Sequence, residues 1–108
     1  MAVKLTNREL DVMSVLWELG EASVREVRER LRDDLAYTSV LSVLRLLEQK
    51  GYVEHRQHGR AYRYAPRITA EEAGGTALRK LMRRVYQGSP VRLLAHLVSD
   101  ETLTEEDL

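Results

Sequence analysis

The repeat of apolar residues in this chain changes its period at Gly51. Before that glycine, apolar residues recur every three or four positions. After it, Tyr52-Val53-Glu54-His55-Arg56-Gln57 and Arg60-Ala61-Tyr62-Arg63-Tyr64 alternate in pairs around His58-Gly59. A 3.6-residue period buries one stripe of a helix and a two-residue period buries one face of a strand, so a segment built for one does not settle as the other. Helices come first, and a hairpin with a glycine in its tight turn follows them.

Capping residues divide the helical part. Thr6-Asn7-Arg8-Glu9 is a capping box in which the Thr6 hydroxyl accepts from the Glu9 amide and the Glu9 carboxylate reaches back. Leu10, Met13, Leu16 and Trp17 follow at helical spacing to Gly20, which predicts a first helix over about residues 7–19. Ser23-Val24-Arg25-Glu26 is a second capping box, opening a short helix to about Leu31. From Thr38 to Lys50, Val40, Leu41, Val43, Leu44 and Leu47 form the apolar stripe of a third helix, stopped by Gly51. Pro66 ends the hairpin. Thr69-Ala70-Glu71-Glu72 is a third capping-box pattern and opens a helix to Gln87, and Ser89-Pro90 opens another over about residues 90–98. Thr104-Glu105-Glu106-Asp107 reads as one more helix start.

The expected fold is mainly α with a small β-hairpin wing: a winged helix-turn-helix over residues 1–67, followed by a helical dimerisation region over residues 68–108. At 108 residues there is room for one core and a short appendage. The absence of cysteine excludes disulfides, thiolate metal sites and a cysteine nucleophile, and fits a reducing compartment. With no run of 18 apolar residues and no signal-like N-terminus, the expected location is cytoplasmic, without membrane insertion.

The formal net charge of zero conceals an uneven distribution. Residues 1–35 carry a net −2 and residues 70–108 another −2. Residues 36–69 carry six Lys or Arg against two Glu, a net +4, with His55 and His58 in addition. A local basic face is what phosphate binding requires. Thr38, Ser39 and Ser42 lie on the side of the third helix away from Leu44 and Leu47, where a groove-reading helix needs donors and acceptors. Arg45, the wing residues Arg56, Arg60 and Arg63, and Thr6 or Asn7 at a helix N-terminus are candidates for phosphate contact.

Leu5-Thr6-x-x-Glu9-Leu10-x-Val12-Met13-x-x-Leu16-Trp17, Ser23-Val24-Arg25-Glu26-Val27, Ala36 to Leu44, Glu48-x-Lys50-Gly51-Tyr52-Val53 and Gly59 to Tyr64 with Pro66 occur here in one order. In these blocks the chain resembles the penicillinase-repressor family of winged-helix transcriptional regulators (BlaI/MecI type). The resemblance implies a homodimeric repressor. Its winged helix would bind a DNA dyad, its C-terminal helices would dimerise, and in some members a regulatory protease acts as a partner. It also implies base reading by Thr38, Ser39 and Ser42. A fourth position, commonly basic, is Leu46 here. The family's cleaved Asn-Phe bond aligns with His96-Leu97, yet this chain has no Phe and Asn7 is its only Asn. Copper-responsive relatives carry a Cys-rich tail, which this chain lacks.

Two alternatives follow from the same residues. One is a winged-helix protein-interaction module whose basic hairpin meets an acidic partner without specific DNA binding. An enzyme is disfavoured, because no nucleophile, metal or phosphate-loop constellation occurs. No cofactor is expected. His55, His58 and His96 lack partner ligands at metal spacing, so no metal site is expected. Glu71-Glu72 and Glu105-Glu106 sit in helix first turns, where they complement the dipole. Trp17 belongs to the apolar stripe of its helix. One winged helix reads only a short half-site, so discrimination needs a dimer. The expected dimerisation residues are Leu78, Leu81, Met82, Val85 and Tyr86 on one helix and Leu93, Leu94, Leu97 and Val98 on the next.

Overall fold

The computed structural model describes residues 3–100 and Glu106. Helix α1 spans Asn7–Leu19, strand β1 Ala22–Ser23, helix α2 Val24–Arg30, helix α3 Tyr37–Gln49, strand β2 Val53–His58, strand β3 Ala61–Pro66, helix α4 Ala70–Val85 and helix α5 Pro90–Ser99. Of the helix start at Thr104, all but Glu106 lies outside the described residues. Among those described, no helix is long and apolar enough to cross a membrane.

All three capping boxes close as expected, the one at Thr69 with the Glu72 amide donating to Thr69 Oγ1 (3.0 Å) and the Thr69 amide to Glu72 Oε1 (3.4 Å). The Glu9 amide donates to Thr6 Oγ1 (3.2 Å) and the Thr6 amide to Glu9 Oε1 (2.8 Å). The Glu26 amide donates to Ser23 Oγ (3.2 Å) and the Ser23 amide to Glu26 Oε1 (3.1 Å). Each box satisfies helix-start amides that would otherwise lack a partner. At the end of α3 the Tyr52 amide donates to the Leu47 carbonyl (3.0 Å) and the Gly51 amide to the Glu48 carbonyl (3.0 Å), while Gly51 takes φ 83°. This is a Schellman stop, whose left-handed residue is inexpensive only for glycine. It turns the chain directly into β2.

The chain divides into two compact units, Met1–Ala73 and Gly74–Leu108, the division falling within α4. In the first unit, Met13 and Leu16 of α1, Val27 of α2, Val40, Leu44 and Leu47 of α3 and Val53 of β2 are fully buried together. Most of the periodic positions thus meet in one core, but Leu10, read as part of the first helix's stripe, is exposed, and Val12 and Val15 of that helix are buried. Trp17 is half-buried against that core and donates its indole N–H to the Ile68 carbonyl (2.8 Å). That bond ties the residues after the hairpin to α1.

The sheet has three strands in the order β1-β3-β2, all antiparallel, with Ala22 opposite Tyr64 and Ser23 opposite Arg63. A hairpin alone was expected. The third strand has two residues, too few for any period to show, and becomes a strand only because β3 lies beside it. His58 pairs with Ala61, so the loop is Gly59-Arg60, one position later than His58-Gly59, and Gly59 supplies its positive φ of 62°.

In the second unit, Ser89 caps α5 by accepting from the Arg92 amide (3.2 Å). The Tyr86 hydroxyl meets His96 Nδ1, and His96 Nε2 lies 3.2 Å from Asp100 Oδ2. Several apolar side chains of this unit remain open to solvent, among them Leu78, Leu81, Val85, Leu94, Leu97 and Val98.

Candidate nucleic-acid interface

Helix α3 has two unlike faces. Val40, Leu44 and Leu47 point into the core, and Thr38, Ser39, Ser42, Arg45, Leu46 and Gln49 are exposed on the opposite side. A helix dedicated to packing shows one apolar stripe, and a solvated one shows charge. This outer face carries three hydroxyl groups, one guanidinium, one amide and the Leu46 side chain, and its polar groups are of the kind that pairs with base edges. Ser42 Oγ donates to the Thr38 carbonyl (2.9 Å).

Glu48, at the end of α3, positions the wing relative to this face. The His55 amide donates to Glu48 Oε2 (3.2 Å), and His55 Nδ1 lies 2.6 Å from the same oxygen. The His55 ring is edge-on to Tyr62 at 4.8 Å between centroids and tilted against Tyr64 at 5.7 Å. Sequence reading missed this cluster, since Glu48 and His55 sit on elements of different period. The capped turn at Gly51 is what brings them within reach.

Arg56 and Arg63 face each other across β2 and β3, on the side of the sheet opposite His55 and Tyr64. Their surroundings differ. Arg56 is exposed, with a loose contact to Glu54 (3.5 Å), and Arg60 is exposed at the loop. Arg63, the third wing arginine expected at the backbone, has its guanidinium held by Glu21 and Glu26. Nε donates to Glu21 Oε1 (2.9 Å), NH1 to Glu26 Oε1 (2.8 Å) and NH2 to the Glu21 carbonyl (3.4 Å). The Glu21 hydrogen bond is the main reason the Arg63 pKa is raised, and the Glu26 bond and both charges outweigh partial burial. The Glu26 carboxyl is held below its usual range, first by the Ser23 amide and hydroxyl and then by Arg63. Arg63 therefore braces the wing to the start of α2.

Thr6 uses its hydroxyl as the α1 cap, and Asn7 is exposed beside it at the helix N-terminus. Arg45 is exposed on α3. Among the described residues, no group of three or more His, Asp or Glu side chains is placed to hold a metal ion. His96-Leu97 lies inside α5.

Comparison with known proteins agrees with this geometry. The profile of the family described as Penicillinase repressor matches residues 5–108. The Transcriptional regulator BlaI of Mycobacterium tuberculosis is 37% identical over 108 aligned positions, covering 96% of this chain and 78% of that protein. The solution structure of the DNA-binding domain of the repressor BlaI superposes with a TM-score of 0.59 at 26% identity, covering 67% of this chain and 93% of that one. The Bacillus licheniformis BlaI monomeric form in complex with the blaP half-operator gives a TM-score of 0.57 at 26% identity, covering 67% and 90%. The winged-helix architecture and these matches show that this chain belongs to the penicillinase-repressor family, a family of transcriptional repressors and not of enzymes.

Proposed function

We propose that this protein is a cytoplasmic, DNA-binding transcriptional repressor that acts as a homodimer on a dyad operator in double-stranded DNA. The observation that carries the reading is the outer face of α3, where Thr38, Ser39 and Ser42 stand exposed in a unit resembling the DNA-binding domain of BlaI. These three side chains read bases. Arg45, Arg56 and Arg60, with Thr6 or Asn7 at the start of α1, contact phosphates, and Arg63 supports them from its carboxylate clasp. The homodimer forms through Leu78, Leu81, Met82, Val85 and Tyr86 of the α4 segment and Leu93, Leu94, Leu97 and Val98 of α5. The exposed apolar side chains of that unit support this assignment. A regulatory protease acting at His96-Leu97 would have to unwind α5 first, because the bond lies within the helix.

The test is selection of duplexes from a random pool by the full chain, followed by binding to the preferred and to random DNA across a salt series. Expected are a two-fold symmetric preferred site and an affinity that falls steeply with salt. Ser42→Ala should cost roughly 1–3 kcal/mol on the preferred site and much less on random DNA. A hairpin that binds an acidic protein, with no sequence preference on DNA, would replace this reading with that of an interaction module.

A further inference from the structure

Leu46 is 44% exposed on α3, although the same helix buries Val40, Leu44 and Leu47 completely. Ser39, Ser42 and Leu46 are spaced i, i+3, i+7, which puts all three on one face of the helix. That face carries hydroxyls and the Arg45 guanidinium, and the exposed Leu46 stands on it outside the buried stripe of Val40, Leu44 and Leu47. Ser42 has one hydroxyl proton, and it is donated to the Thr38 carbonyl (2.9 Å). Toward solvent Ser42 Oγ therefore offers lone pairs only.

These two side chains present an acceptor and, one turn further on, an apolar surface. In the major groove the base-edge donors are adenine N6 and cytosine N4, and the apolar group is the thymine 5-methyl. An A·T pair presents a donor and a methyl together. We infer that Leu46 is a specificity-determining residue that packs on a thymine 5-methyl group, beside Ser42 accepting from the amino group of an adenine. This rests on the reading of α3 as the groove-reading helix. It adds to that reading the base it selects.

Deoxyuridine removes only the 5-methyl group and leaves the pairing edge intact, so it isolates the contact. The full chain would be titrated with the duplex it selects from a random pool, with each thymidine replaced in turn by deoxyuridine, for the wild type and for Leu46→Ala. Leu46 is exposed and outside the core, and thermal melts of both proteins would check that the fold is kept. Expected is a loss of about fourfold at one or two thymines per half-site in the wild type, the worth of one buried methyl. Leu46→Ala should bind thymidine and deoxyuridine duplexes equally at those positions. A selected site with no thymine sensitivity, or with equal sensitivity in both proteins, overturns the assignment of Leu46 and leaves the repressor reading standing. A pool that yields no preferred sequence overturns both.

Discussion

Lys50 Nζ lies 2.7 Å from Glu9 Oε2 and 2.9 Å from Glu9 Oε1, and the Glu9 side chain is only 2% exposed. Glu9 is thus at once the capping-box carboxylate of α1 and the anchor for the residue that caps the end of α3. The Thr6 amide completes its hydrogen bonding. The start of the first helix is thereby tied to the end of the helix that presents Ser39 and Ser42. A buried ion pair of this kind positions elements more than it stabilises them, but losing one partner strands the other.

Lys50→Met keeps the aliphatic stem and leaves a buried carboxylate without its cation. A loss of about 3 kcal/mol is expected, the lower end for a broken buried pair because Lys50 is partly exposed. Urea unfolding followed by circular dichroism measures it. A loss below about 0.5 kcal/mol would show the pair to behave as a surface one.

Glu9 also sets a pH dependence. Burial pushes its carboxyl up, but the Lys50 hydrogen bonds, the Thr6 amide and hydroxyl, and the Lys50 charge outweigh burial and hold it below its ordinary 4.5. A lowered folded-state pKa contributes stability that is fully present above the unfolded value and is lost as pH falls through the folded one. Melting temperatures should therefore fall below about pH 4.5, and Glu9→Gln should flatten that part of the curve while lowering its neutral plateau. Melts from pH 7 to pH 3 decide the matter. A Glu9→Gln curve parallel to the wild type would assign the acid sensitivity elsewhere.

The wing arginines should separate. Arg60→Ala removes an exposed cation and is expected to weaken binding to all duplexes alike, lowering the salt slope by about one, with melting unchanged. Arg63→Ala breaks the bonds to Glu21 and Glu26, so its salt slope should change by less than that while its melting temperature drops. Identical slopes and melts for the two variants would mean that the clasp does not distinguish them.

Dimerisation should rest on the second unit. Leu81 is 43% and Leu94 46% exposed, and aspartate at either place would put charge into an apolar contact. Sedimentation should give a wild-type dimer at tens of micromolar, with Leu81→Asp and Leu94→Asp as monomers that keep the melt of the first unit and lose most operator affinity. A wild-type monomer of 12.5 kDa would refute the homodimer.

Gly74 sits within α4, where a Cβ would meet nothing within 4 Å beyond its chain neighbours and the adjoining helix backbone, and its φ is not in the left-handed region. Gly74→Ala should therefore stabilise the helix by about 1 kcal/mol through helix propensity alone. Far-ultraviolet melts test it, and a lower melting temperature would show that the glycine is needed for a conformation other than this helix.

The five helices among the described residues were legible because each carries its own signal: the capping boxes at Thr6, Ser23 and Thr69, the Ser89-Pro90 start, and the stripe that ends at Gly51. Caps and periods are local, acting over three or four residues, so a single chain displays them without its neighbours. The hairpin was legible for the same reason. Strand β1 was not, since Ala22-Ser23 has no strand pattern and is held in extended form by pairing to Tyr64 and Arg63. The bond between Glu9 and Lys50 joins residues 41 positions apart, and Arg63 meets Glu26 across 37. No periodicity connects such positions. Near-neighbour signals therefore account for the described helices, the hairpin and most of their apolar faces. That Arg63 is clasped while Arg60 is open, and that Glu48 holds His55, follows from packing, because it depends on which charges the assembled elements bring within hydrogen-bond distance.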